Sequence, residues 1–302
     1  MVDDTGTGTG TANASAGWRG KLAGFALGLS IFSVAWFAIA AIGTKLGAWG
    51  WQFGLGVMTI QWGPMLILAA GVVAVIAVIV ALIKAPRKKA LMLALGAVLI
   101  SGLALGRVAA FGGTAERLPP LHDIQTDWAD PIQPSAALLA DREATGALNA
   151  VEDAPVIPEG ANARWPGLGG RLVSEVQEEA EFVPGEQKSP KAAPYPHLAP
   201  LIAPGSVEDG YAAALAAVEG KGWDVVLAAP EEGRIEATET SFWYGFKDDI
   251  LIRVQPDEAG VRIDVRSVSR VGLSDLGVNS KRVRDLLDEL EVRLNKAAPA
   301  AE

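Results

Sequence analysis

Apolar and polar positions divide this chain into two regimes. Residues 22–43 run without a charge as LAGFALGLSIFSVAWFAIAAIG. A second apolar run fills residues 57–83 and ends in LILAAGVVAVIAVIVALI; a third fills residues 90–111, with Arg107 near its far end, where its side chain can snorkel. Crossing ~30 Å of hydrocarbon at ~1.5 Å per residue takes about 20 residues, so each run predicts a transmembrane helix. A signal peptide has a shorter apolar core and a small-residue cleavage site, which makes the first run an uncleaved anchor. Charge-free runs this long argue against the alternative, buried helices of a soluble core. Gln61, Trp62 and Pro64 fall in the first turns of the second span. Trp suits the headgroup level there, and Pro is tolerated where its missing N–H has no partner. The small-residue pairs Gly24 with Gly28 and Ala90 with Ala94 predict helix-on-helix contact. No span carries Asp, Glu or His, so the bundle reads as an anchor and not as a transport path.

Beyond residue 112 the periods are those of a water-soluble domain. Residues 113–205 are rich in proline and acids and predict a largely extended segment wrapping the C-terminal domain, with a short helix over 136–150. Ser206 and Asp209 have the spacing of a capping box, and Tyr211, Leu215 and Val218 continue at helical spacing until Gly220 and Gly222. Four strands are predicted at residues 223–228, 233–240, 250–255 and 260–269. The short turns between the first and second and between the third and fourth require antiparallel neighbours. In the last, Val261, Ile263 and Val265 alternate with Arg262, Asp264 and Arg266. A final helix over 280–294 presents Val283, Leu286, Leu287, Leu290 and Leu294 on one face. The expected fold class is α+β: three N-terminal transmembrane helices, then a soluble two-layer domain with a four-stranded antiparallel sheet and helices packed on one face. The predicted boundaries are a disordered cytoplasmic tail (1–20), the three-helix anchor (21–112), the wrapping segment (113–205), the α+β domain (206–295) and a disordered tail (296–302).

Charge orients this arrangement. Residues 1–112 hold two acids, Asp3 and Asp4, against eight bases. Arg19 and Lys21 precede the first span, and Lys84, Arg87, Lys88 and Lys89 lie between the second and third, whereas the intervening loop has Lys45 alone. Basic flanks face the cytoplasm. The expectation is therefore a multi-pass inner-membrane protein with a cytoplasmic N-terminus and a periplasmic or otherwise extracytoplasmic C-terminal domain, the lipid bilayer being its first partner. That domain carries eighteen bases against thirty-three acids, which repels phosphate backbones and argues against nucleic acid. The absence of cysteine excludes disulfides, thiolate nucleophiles and zinc fingers. With only His122 and His197, a three-histidine metal site would need a second chain.

The densest polar pattern lies between Ile235 and Arg282: IEATETSFWYGFKDDILIRV, a turn at Asp257, Glu258, Ala259 and Gly260, then VRIDVRSVSRVGLSDLGVNSKR. It contains Gly222 with Trp223 upstream, the RIEAT strand at 234–238, and Gly245-Phe246 followed by Asp248-Asp249. Arg266-Ser267, Ser269-Arg270, Gly272, Ser274-Asp275, Gly277 and Asn279 complete it. With the PP-HD segment at 119–123 and Tyr195-Pro196, this run resembles the domain of unknown function family numbered 1499. The resemblance covers about residues 117–293, more weakly over 143–190, where this chain has an acidic insertion. It implies a membrane-associated protein and brings no settled activity.

The residues themselves offer two readings at each place. Glu236, Thr238, Thr240, Arg253, Arg262, Asp264 and Arg266 stand on one sheet face, either as a cross-strand ion-pair lattice or as a polar groove for a small anionic ligand. The turn from Arg270 brings Gly272, Gly277, Asn279, Ser280, Lys281 and Arg282 to the start of the last helix. Its free N–H groups could take phosphate or carboxylate; alternatively, Asn279 caps the helix while Asp275 pairs with Arg270. The ligand-binding candidates are Arg253, Asp264, Arg266, Ser267, Ser269, Arg270, Asp275, Asn279 and Lys281. His122, Asp123, Asp248 and Asp249 form a weak oxygen-rich metal candidate. No Walker-type loop and no GxSxG elbow occurs, no catalytic residue is assigned and no cofactor is expected. The leading expectation is a non-catalytic, membrane-anchored envelope protein that binds a small anionic ligand or an envelope protein, or acts as a scaffold. The rival is a membrane-tethered hydrolase with Asp248, Asp249 or Asp264 as acid or base, which requires His122, Asp248 and Asp264 to converge in one pocket.

Overall fold

A computed structural model describes residues 17–83, 85–181 and 195–297. The chain falls into two compact units, Met1–Phe111 and Gly112–Glu302. Most of the two tails, predicted disordered at 1–20 and 296–302, lies outside the described residues.

The first unit is three helices: α1 (Trp18–Lys45), a continuous helix that changes from a π stretch (Gln52–Trp62) to α2 (Gly63–Ile83), and α3 (Lys88–Arg117). All three are long and apolar enough to cross a membrane. Large apolar side chains such as Phe25, Ile31, Leu68, Val75, Ile79, Leu99 and Leu103 are exposed. The buried stripes are small: Ala23, Ala26, Ser30 and Ser33 on α1; Ala70, Ala74, Ala77 and Ala81 on α2; Ala90, Ala94, Ala97 and Ser101 on α3. Spacings of three and four place each stripe on one side of its helix, and small side chains let backbones approach closely. The Ser101 hydroxyl donates to Ser30 Oγ at 2.9 Å between α1 and α3, and Ser30 donates on to Ala26 O at 2.9 Å. Ala90 and Ala94 thus face a neighbour as expected, but Gly24 and Gly28 do not. They are exposed, with nothing near where a Cβ would stand, because the stripe on α1 runs in the adjacent phase. Pro64 lies twelve residues into the helix that begins at Gln52, not in its first turns, and the π stretch ends just before it.

In the second unit the sheet has six strands rather than four. Its order is β1 (Asp123–Gln125), β6 (Gly260–Ser269), β5 (Lys247–Asp257), β4 (Arg234–Thr240), β3 (Asp224–Ala229), all antiparallel, and β2 (Leu201–Ala203) lies end to end with β1 along β6. β1 and β2 come from the segment read as extended. Three residues are too few to display a period of two, and β1 is buried at every position. Gly233 closes the β3–β4 turn at φ +63°, where a Cβ would stand 2.1 Å from Val254 O. Glycine is the residue type that tolerates that backbone conformation together with so close an approach.

One face of the sheet is apolar. Ile235, Ala237, Ile250, Ile252, Val254, Val261, Ile263 and Val265 form a single core with α6 (Val207–Gly220) and α7 (Val278–Ala297). Ser206 caps α6 through the full capping box with Asp209, as its spacing predicts. The other face carries a small apolar cluster of Leu251 and Val268 with Ile132 and Leu138. α4 (Ala136–Ala144), capped by Ser135, covers it, so helices lie on both sheet faces. α5 (Val173–Glu181) is a helix within the segment read as extended.

Candidate functional site

Alternation along β1, β4, β5 and β6 turns a set of charges toward the face that α4 covers, and residues 127–152 close over them. Arg266 and Asp123 meet there with side chains wholly shielded from solvent. Arg266 Nε donates to Asp123 Oδ1 at 3.0 Å and Nη2 to Oδ2 at 2.5 Å. Its remaining donors reach the carbonyls of Ile132 (2.9 Å) and Glu152 (2.7 Å), and Trp128 lies over the guanidinium at 5.5 Å. A bidentate pair whose spare N–H groups are also satisfied is the form in which a buried ion pair is tolerated.

The neighbouring knot centres on Asp249, also fully buried. Arg270 donates to it from Nη2 at 2.6 Å and from Nε at 3.0 Å, and Arg142 from α4 donates to its other oxygen. Thr238 Oγ1 adds a hydrogen bond at 2.8 Å. Arg270 also holds Asp141 at 2.6 Å. Burial works against the charge of both arginines. At Arg270 the two carboxylates outweigh it and hold the guanidinium above its ordinary value; at Arg142 burial prevails and lowers it. Farther along, Arg262 grips Asp264 (2.8 Å) and Asp127 (2.6 Å), Arg253 reaches Asp130 (3.0 Å) and Asp264 (3.4 Å), and Glu236 accepts from Arg234 (2.7 Å) and the Ser135 N–H (2.8 Å). The polar face is a lattice roofed by its own chain.

A second cluster sits on the opposite face beneath the start of α7. Asp275 supplies the helix cap: it accepts from Gly277 N at 2.7 Å and Asn279 N at 2.9 Å, with the buried Tyr195 hydroxyl at 3.3 Å. Burial pushes its carboxyl up to about 6 despite those donors, and burial with the facing Asp275 also pushes the Tyr195 hydroxyl up. Two expectations change here. Asn279 is not the cap but a buried cross-link, accepting from Ser267 Oγ (2.8 Å) and from Arg282, and donating to His122 O (3.1 Å) and Ser269 Oγ (3.0 Å). Asp275 does not pair with Arg270, which belongs to Asp249 on the other face. Arg282 ties α7 to Glu239 (2.6 Å) and Asp248 (2.7 Å). Lys281 stands apart, exposed and paired with Asp285.

The sequence-predicted residues therefore separate into two buried networks plus Lys281. Arg253, Asp264, Arg266 and Arg270 lie under the α4 layer; Ser267, Ser269, Asp275 and Asn279 lie under α7. The metal candidates are divided too: Asp248 faces Arg282 while Asp249, the next residue, faces Arg142 and Arg270. Among the described residues no group of three or more His, Asp and Glu side chains could hold a metal ion. His122 is buried with Nδ1 unpartnered, and burial, opposed by Asp123, lowers its pKa from the ordinary value. Asp248, with Arg282, and Asp264, with Arg262, point to opposite faces of the sheet, so the three groups that the hydrolase reading needs do not converge. A groove of about 260 Å³ lies instead along the outer side of α7, lined by His197, Leu201, Arg284, Leu287, Asp288 and Glu291, and holds none of these residues.

Sequence reasoning missed Ser135, Asp141, Arg142 and Asn149, and named Tyr195 only as a motif residue without its role. Their partners lie 80 to 129 positions away, and only the Ser135 cap carries a local signal. Neither the curated proteins nor the solved structures give a match. The family model described as "Protein of unknown function (DUF1499)" matches residues 123–290, the span that holds both networks, and the chain belongs to that family.

Proposed function

We propose that this protein is a membrane-anchored envelope protein whose outer domain is a non-catalytic scaffold. The observation that carries this reading is the closure of the motif arginines: Arg266, Arg270 and Arg282 are buried and each is held by carboxylates of its own chain. An anion would have to displace a bidentate carboxylate from a dry site, losing more than it gains. Hence the motif secures a particular surface for an envelope protein partner in preference to a small anionic ligand. The basic flanks Arg19, Lys21, Arg87, Lys88 and Lys89 support a cytoplasmic N-terminus in the inner membrane with the acidic domain on the far side.

The hydrolase reading has less support. Asp248, Asp249 and Asp264 are each gripped by arginine, which occupies the lone pairs a general base would use. Titrating the detergent-solubilised full chain with phosphate, citrate and short-chain carboxylates while recording Tm tests the choice. The scaffold reading predicts no saturable rise; a saturable rise abolished by Arg270→Ala would restore the ligand groove.

A further inference from the structure

The β4–β5 connection, SFWYGF at residues 241–246, holds four aromatic residues and no acid, and Lys247 comes directly after it. It is a built structure: Ser241 N donates to Phe246 O at 2.7 Å, Phe246 N to Ser241 Oγ at 2.9 Å and Gly245 N to Ser241 O at 3.2 Å. Tyr244 and Phe246 stack at 5.3 Å and form its base. Phe242 and Trp243 cross edge to face at 5.2 Å at its tip, yet remain 76% and 53% exposed. Holding two large rings in water forfeits the burial that most aromatic side chains obtain.

Sheet register says which end this tip crowns. Asp123 of β1 pairs with Val268, Val268 with Asp249, and Asp249 with Thr238, so the start of β1 is level with the last residues of β4. Five residues, 118–122, separate the end of α3 at Arg117 from the start of β1. The chain thus enters the domain at the end of the sheet from which the aromatic tip projects, about three strand spacings, roughly 14 Å, to the side. The opposite end is closed by the β3–β4 turn with Glu231 and Glu232 and the β5–β6 turn with Asp257 and Glu258. Acidic turns lie at one end; the aromatic tip, which holds no acid of its own, and residues 118–122 lie at the other, together with Asp224 and the Arg282-paired Glu239.

We propose that Phe242 and Trp243 seat in the headgroup region of the bilayer, giving the outer domain a second attachment to lipid. This rests on the membrane-anchor reading above. Trp and other aromatic rings favour the interface, where an apolar body and a wet edge are both accommodated. Attachment through a five-residue connector makes the encounter intramolecular, so even a weak contact is populated. The domain's net negative charge opposes anionic headgroups, and the six tip residues add no acid while Lys247 follows them, so the tip itself meets the least repulsion.

The absence of cysteine allows single-site labelling without background. Three variants of the full chain, Phe242→Cys, Glu258→Cys and Val75→Cys, carry an environment-sensitive fluorophore in liposomes of neutral and anionic lipid. The probe at 242 is expected to emit to the blue and lose most of its fluorescence to a headgroup-level nitroxide lipid, while the probe at 258 keeps its own. Adding Trp243→Ser should weaken the quenching at 242. A probe at 242 that behaves like the one at 258 overturns the proposal. So does one shielded from water yet untouched by the lipid quencher, which would give the tip to a protein or a second copy of the chain. Position 75 reports separately on the anchor: if a quencher placed deep in the acyl chains leaves it bright, the anchor reading fails, and the 242 probe still decides whether the tip meets lipid.

Discussion

Asp275 holds the start of α7 by an anion in a place that resists anions. Its carboxyl is raised to about 6 in the fold from an ordinary 3.8, so the folded state keeps the proton longer than the unfolded chain does. Its contribution is full below pH 3.8 and is lost as pH rises through about 6. His122 acts in the opposite sense. Its folded pKa lies below 6.5, so its contribution is present above that pH and is lost as acid protonates the buried ring. NMR titration of the Asp275 carboxyl carbon should show a midpoint near 6, and a midpoint at the ordinary 3.8 would contradict the buried cap. Arg266 makes the companion case. Arg266→Ala leaves Asp123 buried and unpaired and should lower stability by about 3–5 kcal/mol in denaturant unfolding. Arg266→Met with Asp123→Leu should recover most of that, because the pair contributes fit more than net energy. From sequence, the alternation on β6 correctly placed Arg266 on a polar face. The identity of its partner was illegible, because Asp123 is 143 positions away and no local rule links them.

Elements differed in legibility for the same reason. α6 and α7 announce themselves through 3.6-residue periods, and Ser206 with Asp209 forms the box its spacing implied. Ser206→Ala should cost about 1 kcal/mol, measured as a shift in the denaturant midpoint, with the unfolding slope unchanged. An unaltered midpoint would mean that solvent replaces the cap without loss. β6 was legible because its alternation survives over 10 residues, and β3 to β5 because short turns bound their apolar runs; β1 and β2 were not, because each owes its strand conformation to β6 alone. α4 shows the intermediate case. Its helix was visible, but its place on the polar face is dictated by Arg142 reaching Asp249, a contact that the helical period does not encode.

At the scale of the molecule, the two units obey opposite rules. Among the described residues, most of those buried in the first unit are small while most large apolar ones are exposed; in the second unit large apolar residues fill the core and the motif arginines are locked in ion pairs. The first pattern suits a surrounding of hydrocarbon and the second a surrounding of water, which is why the division was readable from hydropathy alone. The most direct test of this division across a bilayer again uses the missing thiols. Cysteine is placed at Glu258, in the β5–β6 turn, and at Ala85, between α2 and α3, in separate full-length chains. Each is exposed to a membrane-impermeant maleimide in spheroplasts. Labelling is predicted at 258 at once and at 85 only after the membrane is permeabilised; labelling at 85 first, or at neither position before permeabilisation, would contradict the proposed topology.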